Sequence, residues 1–385
     1  MFEIDDGKAQ TAKIKVVGVG GAGGNAVNNM IASNLHGVDF IAVNTDMQVL
    51  ETSLAPIKMQ IGASITKGLG AGADPQIGRQ SAMEDRAVIS ELLGGADLIF
   101  ITAGMGGGTG TGASPVIASV AKELGALTVA IVTKPFFYEG KTRTMRADEG
   151  IRELKGHVDT LIVIPNDRIA EVVEKKIAFH KGFAVTDDVL RQAIQGISDI
   201  IQVPGLINVD FADVKTTMQN TGRAVMGVGL GRGEGGAIEA AKKAITNPLL
   251  EESSIEGARG ILINITGGGQ LSLGDVQEAA SIIYDAAHEG ANIIFGAVIN
   301  PDIEDEVKIT VIATGFDEKK EKVELPQVKK WSPAKEPLTF RGSERILAKN
   351  LTPHSSIDSG PTDMLPYEDP LDVPAFLRKV HDRVT

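Results

Sequence analysis

Short apolar runs alternate with amphipathic stretches through the first half of the chain. Runs of consecutive apolar residues predict strands at 13–20, 38–44, 97–103, 128–133 and 160–164. Residues at helical spacing predict helices between them, at 25–33, 114–124 and 145–154. Strands that are apolar almost throughout and alternate with helices predict an α/β fold, with a Rossmann-like parallel sheet covered on both faces. Ligands of such sheets bind beyond the carboxyl ends of the strands.

The pattern changes after a long amphipathic stretch at 187–202, which predicts a connecting helix. Beyond it, predicted helices at 236–246 and 273–287 alternate with predicted strands at 261–266, 292–299 and 307–314. Only a short turn separates the last two strands. We therefore predict a smaller α+β second domain with a mixed sheet.

The composition changes again beyond Gly315, where proline becomes frequent, glycine nearly disappears and apolar periodicity is lost. Such a composition predicts a disordered C-terminal tail. Apolar residues return near its end, at 367–379. By composition alone this segment is interpreted as a frayed end.

The overall composition excludes several classes of protein. The 385 residues are 43% hydrophobic and 23% charged, with a formal net charge of −12, which disfavours a nucleic-acid partner. The chain has no cysteine, so disulfides, thiolate catalysis and cysteine-based zinc sites are excluded. The first ten residues lack the apolar stretch of a signal peptide, and no apolar run approaches the ~18 residues of a membrane span. We expect a cytoplasmic protein without membrane insertion.

A first glycine-rich segment follows the first predicted strand. Gly18, Gly20 and Gly23 match the G-x-G-x-x-G fingerprint of dinucleotide-binding proteins. Asp39 and Asp46 lie about 20 residues further on, where such proteins place a ribose-binding acid. One interpretation is therefore an NAD- or FAD-dependent oxidoreductase.

A second glycine-rich segment, 104–112, follows another strand and precedes a helix expected to begin at Ser114-Pro115, with proline at its first position. Two glycine loops on neighbouring strands could hold a di- or triphosphate through backbone N–H groups and helix N-termini. An NAD site needs only one such loop. The usual NTPase motifs are absent, since Pro135 replaces the first glycine of a Walker A loop that would end at Gly140-Lys141-Thr142.

The motif 106–112 (GGGTGTG) is the signature of the tubulin superfamily. Together with 20–25, 208–213 (NVDFAD) and 372–378 (DVPAFLR), it makes the sequence resemble the FtsZ family of bacterial cell-division GTPases. The resemblance implies a protein that binds GTP or GDP with Mg²⁺, hydrolyses GTP and polymerises head-to-tail into filaments. Magnesium would be held mainly by phosphates and water, with no direct protein ligand.

The resemblance also implies nucleotide-binding residues. Those in the two glycine segments would be Gly20, Gly21, Ala22, Gly23, Gly24, Asn25, Gly104, Gly106, Gly107, Gly108, Thr109, Gly110 and Thr111. Asn44, Thr45 and Asp46 would approach the phosphates and their magnesium. The loop formed by Ala71, Gly72, Ala73 and Asp74 would face the γ-phosphate. Glu139 would bind ribose and Arg143 would reach the nucleotide.

Guanine would be recognised by Asn166, Phe183 and Asp187. A carboxylate can accept hydrogen bonds from N1–H and the 2-amino group of guanine, a pair that adenine lacks. Asp187 is also interpreted as a helix-start residue favoured by the helix dipole, a role that is compatible with binding guanine.

Two interpretations compete for Asp210 and Asp213. Spacing alone favours an N-cap at Asp210 with Asp213 as its capping-box partner. The resemblance implies instead that this loop enters the nucleotide pocket of the adjoining subunit, where both aspartates position the attacking water and Asn208 supports them. Phosphoryl transfer needs an aligned nucleophile and charge neutralisation, which such a loop can supply. A non-catalytic nucleotide-binding scaffold is a third interpretation, which the presence of both aspartates disfavours.

For the tail, the resemblance implies a peptide that binds membrane tethers such as FtsA and other division proteins, at a mid-cell ring on the inner face of the membrane. Its partner-binding residues would be Leu371, Asp372, Val373, Pro374, Phe376, Leu377 and Arg378. The folded part is predicted to comprise a GTP-binding domain at 13–178, a connecting helix region at 179–203 and a second, GTPase-activating domain at 204–316, with a catalytic loop at 205–213. A flexible N-terminus at 1–12 precedes it. A disordered linker at 317–365 and a docking peptide at 366–380 follow it.

Overall fold

The computed structural model describes residues 11–172, 179–203, 205, 207, 209–250, 255–300 and 303–316. The predicted flexible N-terminus up to residue 10, the linker, the docking peptide and Asn208 lie outside the described residues. Every described residue belongs to one compact unit.

The ten strands of the described residues form one sheet. Along the chain they are β1 (Ile14–Val19), β2 (Val38–Asn44), β3 (Ile57–Gln60), β4 (Leu98–Gly104), β5 (Leu127–Lys134), β6 (Thr160–Pro165), β7 (Gly222–Arg232), β8 (Gly260–Gly267), β9 (Asn292–Ile299) and β10 (Glu306–Thr314). Their order across the sheet is β3-β2-β1-β4-β5-β6-β7-β10-β8-β9. The sequence predicted eight of them.

The strands β1 to β6 are all parallel, as predicted. In the register, Val19 at the end of β1 lies opposite Val43 of β2 and Ala103 of β4. The segments that follow β1, β2, β4, β5 and β6 therefore leave the sheet at one edge, which we call the carboxyl edge.

The remaining strands form a mixed half of this same sheet, where the sequence predicted a mixed sheet in a second domain. β7 continues the parallel half through three residue pairs with β6, and β10 is antiparallel to both β7 and β8. The consecutive strands β9 and β10 do not pair, because β8 lies between them. β7, β8 and β9 thus run in the same direction as β1, and only β10 is reversed.

Twelve helices occur among the described residues. They are α1 (Gly20–Ala32), α2 (Met47–Glu51), α3 (Ala63–Thr66), α4 (Pro75–Glu84), α5 (Arg86–Leu93), α6 (Thr109–Glu123), α7 (Lys141–Lys155), α8 (Asn166–Val172), α9 (Phe179–Gln202), α10 (Phe211–Met218), α11 (Gly236–Ile245) and α12 (Leu273–Ala286). Alternate residues of each parallel strand pack into two hydrophobic cores, one on each face of the sheet. Val16 packs with α1 and α9 on one face, whereas Val17 packs with α4 to α7 on the other. A third core lies under α11 and α12.

Two helices begin earlier than predicted. α1 begins at Gly20 rather than residue 25, and α6 begins at Thr109 rather than residue 114. Pro115 therefore lies inside α6 and not at its first position. Glycine has poor helix propensity, but here close packing decides: a Cβ on Gly23 would overlap the carbonyl oxygen of Thr102. Much of each glycine segment is thus the first turns of a helix.

Candidate functional site

Three segments meet in direct contact at the carboxyl edge: the start of α1, the segment from β4 into α6, and the loop 71–74 before α4. A Cβ placed on Gly20 would lie 2.9 Å from the backbone nitrogen of Gly110. One on Gly104 would lie 2.6 Å from the Cβ of Ala22, and one on Gly108 would lie 2.8 Å from the Cβ of Ala71. Glycine at these three positions allows the segments to approach more closely than a residue with a Cβ would permit.

Side-chain hydrogen bonds hold the same segments together. The hydroxyls of Thr45 and Thr109 lie 2.6 Å apart and both residues are buried, which joins the segment after β2 to α6. The backbone N–H of Gly106 donates to Thr111 Oγ1 at 2.8 Å, which closes the second glycine segment on itself. Asn44 Oδ1 accepts from the N–H of Thr45, and Asp46 Oδ1 accepts from Gln48 and caps α2.

Space remains open beside these segments. Apart from each glycine's chain neighbours and, for Gly21, the backbone of its own helix, no atom lies within 4 Å of the point where a Cβ would stand on Gly21, Gly72 or Gly107. The first turns of α1 and α6 border this space, and helix N-termini favour anions. Backbone N–H groups and two positive helix ends make the space suited to a polyphosphate.

A cleft opens beside the glycine segments, between β5, β6 and α9. Its lining residues are Ala22, Asn25, Gly104, Met105, Thr133, Pro135, Glu139, Arg143, Asn166, Phe183, Thr186, Asp187 and Leu190. The rings of Phe136 and Phe183 meet edge to face, with centroids 5.5 Å apart. Glu139 accepts a hydrogen bond from the N–H of Phe136 and pairs with Arg143 at 3.2 Å. The cleft thus has an aromatic wall and a charged wall.

Two hydrogen-bond acceptors lie in this cleft. Asn166 is buried, and its Oδ1 has no hydrogen-bond partner among the described residues. Asp187 is half-buried, and burial raises the pKa of its carboxyl to about 7. It lies eight residues into α9, so the helix-start interpretation of this residue is wrong. A planar ligand with adjacent N–H donors, such as guanine, fits these unsatisfied acceptors.

The aspartates at 210 and 213 lie at the opposite edge of the sheet. The C-terminal end of α10 lies beside this edge. Its Met218 contacts Thr160, the first residue of β6. Its Thr217 contacts Gly260, the first residue of β8, and Thr314, the last residue of the reversed strand β10. α9 links the two edges: Asp187 lines the cleft, and Gln202 donates to the carbonyl of Ala12, just before β1. Gln202 comes fifteen positions after Asp187 in α9, a distance of about 22 Å along the helix axis.

Asp210 occupies the N-cap position of α10, as its spacing predicted, but its side chain makes no capping hydrogen bond. Asp213 is three residues further on, and both side chains are exposed. Among the described residues, no group donates to or pairs with either carboxylate. The capping-box interpretation therefore does not hold, and both carboxylates face outward.

The comparisons with known proteins agree with this geometry. Residues 13–174 match the model of the Tubulin/FtsZ family GTPase domain, and residues 222–317 match that of the FtsZ family C-terminal domain. A solved FtsZ dimer from M. jannaschii is 43% identical over 80% of this chain and 89% of that chain, with a TM-score of 0.77. The chain belongs to the FtsZ family. A mutant of the same M. jannaschii FtsZ is also 43% identical, over 80% of this chain and 92% of that one, with a TM-score of 0.77.

A more distant likeness concerns the fold alone. CetZ2 from Haloferax volcanii, solved as a GTPγS-bound protofilament, is 20% identical over 80% of this chain and 94% of that chain, with a TM-score of 0.69. The likeness extends over the same share of this chain as the FtsZ match. The predicted α/β architecture with a parallel and a mixed sheet is confirmed.

Family membership replaces the oxidoreductase interpretation, since the matched domain is a GTPase domain, which binds GTP and GDP. The strand register excludes Asp39 as a ribose-binding acid, because it pairs with Lys15 at the amino end of β2, away from the glycine segments. Asp46 lies at the carboxyl edge, where its carboxylate caps α2. Among the described residues, no group of three His, Asp or Glu side chains could hold a metal ion. None of the described helices combines the length and apolarity needed to cross a bilayer.

The structure brings the sequence-predicted nucleotide residues to one edge, in two adjoining spaces. It also adds residues that sequence reasoning missed. Thr133 and Thr186 line the cleft, and Arg146 donates to the loop 71–74 through the carbonyl of Ala73 at 2.8 Å. Nothing in the sequence around Arg146 distinguishes it from other basic residues of α7, because its role depends on a contact 73 residues away.

Proposed function

We propose that this chain is a GTPase that polymerises head-to-tail, and that each active site is completed by 208–213 of the adjoining subunit. The observation that carries the proposal is the separation of the two half-sites on one sheet. The nucleotide segments leave the carboxyl edge, whereas Asp210 and Asp213 belong to α10 at the amino edge. A subunit cannot bring its own aspartates to its own nucleotide without unfolding α9 or the sheet.

The chemistry of each half-site supports this division of roles. The open space beside Gly21, Gly72 and Gly107 would hold the phosphates, and the cleft at Asn166 and Asp187 would hold guanine. Mg²⁺ would be held mainly by phosphate oxygens and water and would neutralise charge on the phosphates. Asp210 and Asp213 are exposed carboxylates, able to accept a hydrogen bond from a water molecule and align it for attack.

Stacking such subunits with the amino edge of one against the carboxyl edge of the next is a heterologous contact. Heterologous contacts form open filaments unless the rotation closes a ring. Hydrolysis at this contact would change the charge and the shape of the interface. GTP would then favour assembly, and its hydrolysis would loosen the filament. The M. jannaschii FtsZ that this chain is similar to was solved as a dimer.

The first test is phosphate release from GTP with Mg²⁺, measured per subunit across a dilution series of the purified chain. We expect the rate per subunit to collapse below a threshold concentration. A rate that stays constant at every dilution would mean that each subunit hydrolyses alone. The role of Asp210 and Asp213 in the adjoining site would then be abandoned.

Complementation is a sharper test. Asp213→Ala removes the water-positioning carboxylate and keeps the nucleotide cleft, whereas Asp187→Asn weakens guanine binding and keeps α10. We expect each variant to be nearly inactive alone and the mixture to regain activity. Co-sedimentation establishes that both variants enter the same polymer. An inactive mixed polymer would contradict the shared site.

The cellular part of the proposal concerns the tail. The apolar residues of 366–380, outside the described residues, would dock onto membrane tethers such as FtsA and place the filament at the division site. Deleting 366–380 is expected to leave GTP hydrolysis unchanged and to abolish recruitment to vesicles that carry FtsA. Recruitment without the peptide would exclude this role.

A further inference from the structure

The last carbonyl groups of α10 are held by threonine hydroxyls from both halves of the sheet. Thr160, the first residue of β6 in the parallel half, donates to the carbonyl of Met218. The hydroxyl of Thr314, the last residue of β10 in the mixed half, lies 3.0 Å from the carbonyl oxygen of Thr217 and 3.2 Å from that of Gly260. Both threonines are completely buried.

The surrounding contacts leave α10 little freedom at this end. Gly260 of β8 packs against it so closely that a Cβ there would lie 2.9 Å from the Cγ2 of Thr217. Asn292 of β9 donates to Thr217 Oγ1 at 3.2 Å, and Thr221 donates to the carbonyl of Met218 at 3.1 Å. The C-terminus of α10 is thus fixed to β6, β8, β9 and β10, across the seam where β6 meets β7.

The other end of α10 carries Asp210 and Asp213, whose exposed carboxylates have no hydrogen-bond or ion-pair partner among the described residues. The flanking Val209 and Phe211 pack against the hydrophobic core. An eight-residue helix is about 12 Å long, so a tilt of roughly 5° moves one end by about 1 Å relative to the other. A displacement of about 1 Å between reacting groups can lower a rate by about a hundredfold. The packing of Val209 and Phe211 fixes the start of the helix on the core, and the contacts at its buried C-terminal end fix the tilt of its axis, on which the direction of the aspartates depends.

We propose that Thr160 and Thr314 are positioning residues for GTP hydrolysis, which hold the buried end of α10 from the two halves of the sheet and so direct Asp210 and Asp213 toward the adjoining subunit. This inference rests on the proposed function of those aspartates. It assigns Thr160 and Thr314 no contact with the nucleotide. Loss of either hydroxyl affects the hydrolysis that a subunit performs on its neighbour's GTP and leaves its own nucleotide cleft intact.

The test compares Thr→Val, which keeps the shape and removes the hydroxyl, with Thr→Ser, which keeps the hydroxyl. Each variant of Thr160 and Thr314 is made in the full chain. The readouts are kcat per subunit above the assembly threshold and the Kd for GTP below it. We expect Thr314→Val and Thr160→Val to lower kcat at least tenfold with Kd changed less than twofold. The two Thr→Ser variants should restore most of kcat.

Thr128→Val is the matched control. Thr128 is equally buried in the parallel half, and its hydroxyl donates to the carbonyl of Ala126 without touching α10. The control should lower thermal stability without lowering kcat. Asn292→Ala removes the hydrogen bond to Thr217 from an exposed position, so it keeps the test informative if a valine variant does not fold. It should lower kcat about threefold with Kd unchanged.

Three outcomes would overturn the inference: unchanged kcat in the valine variants and in Asn292→Ala, equal loss of kcat in Thr128→Val, or failure of Thr→Ser to restore kcat. Each of these is measured against a parent chain that hydrolyses GTP. Absence of hydrolysis in the parent chain would instead refute the proposed function itself. The two failures are therefore distinguishable.

Discussion

Arg146 of α7 donates a hydrogen bond from its guanidinium to the carbonyl oxygen of Ala73, at 2.8 Å. Ala73 is one of the few residues other than glycine with a positive φ, at 59°. This conformation costs about 1–2 kcal/mol for an L-residue and persists only when neighbours enforce it. Arg146 is such a neighbour, and it holds the loop 71–74 against the second glycine segment.

The first prediction concerns this contact. The family resemblance implies that the loop 71–74 faces the γ-phosphate, which GDP lacks. Arg146→Ala should therefore weaken binding of GTP about fivefold, the equivalent of one lost hydrogen bond of about 1 kcal/mol. GDP binding should be unchanged. Titration with fluorescent GTP and GDP measures both affinities. Arg152→Ala, an exposed position on the same helix, is the control, and equal weakening of both nucleotides by Arg146→Ala would refute the prediction.

The second prediction separates packing from ligand binding at adjacent glycines. Gly107→Ala places a methyl group in open space, so stability should be unchanged while GTP affinity falls more than tenfold, because the methyl occupies the proposed phosphate space. Gly108→Ala forces the methyl against Ala71 and should lower the free energy of unfolding by about 1–3 kcal/mol. Urea unfolding and GTP titration measure the two effects. Normal GTP binding by Gly107→Ala would place the phosphates elsewhere.

The third prediction is a pH dependence of GTP binding. Burial raises the pKa of Asp187 to about 7, and only the ionised carboxylate can accept both guanine hydrogens. In the nucleotide-free protein the carboxyl is increasingly protonated as pH falls below 7, so GTP affinity should fall up to about tenfold per unit below that value. GTP binding near pH 7 should release protons, detectable by calorimetry in buffers of different ionisation enthalpy.

The control for this pH dependence is Asp187→Asn, which should bind GTP weakly and lose the slope. Asp188→Asn alters the next residue, which pairs with Arg191 rather than lining the cleft, and should keep the slope. A pH slope that survives in Asp187→Asn would assign the titration to another group.

The fourth prediction distinguishes an enzyme from a nucleotide-binding scaffold. Asp213 has no partner to lose among the described residues, so Asp213→Asn should change the free energy of unfolding by less than about 0.5 kcal/mol. If it positions the attacking water, phosphate release should fall about a hundredfold or more while GTP binding and assembly persist. Undiminished phosphate release in assembled Asp213→Asn would remove Asp213 from the mechanism.

The fifth prediction concerns the fold of the mixed half. A Cβ on Gly229 of β7 would overlap the carbonyl oxygen of Ala240 in α11. Gly229→Ala should therefore cost about 3 kcal/mol of stability, because backbone rather than a flexible side chain must move. Gly269→Ala, which meets nothing within 4 Å, is the control. Equal melting temperatures for the two variants would contradict the packing described.

Apolar patterning predicted most of the sheet, because buried parallel strands are continuous runs such as that of β4. It missed β7, which carries four glycines in eleven residues, a residue type depleted in strands. Close packing of α11 on Gly227, Gly229 and Gly231 outweighs that propensity. Close packing also explains why α1 begins at Gly20 rather than at the predicted residue 25. Helix and strand propensities depend on the local sequence, so they cannot predict contacts between residues that lie far apart along the chain.

The candidate site was predicted mainly through family motifs rather than spacing. Spacing alone placed Asp210 at an N-cap, and its position is correct, but the carboxylate is not used for capping. The separation of the half-sites could not be derived from the sequence, because it depends on the direction of α9 and on which strands contact α10. Those are properties of the assembled sheet.

The glycines of β7 have a mechanical consequence. Where a strand presents no side chain, the distance between it and the helix above is set by contact between two backbones, which cannot be compressed or repacked by rotamer changes. β10 pairs with β7 along nine residues and with β8 along eight, so this stiff strand–helix unit extends across the mixed half. β6 and β7, by contrast, share only three residue pairs. Strain applied along the proposed filament would thus bend the subunit at that short seam, beside the buried end of α10.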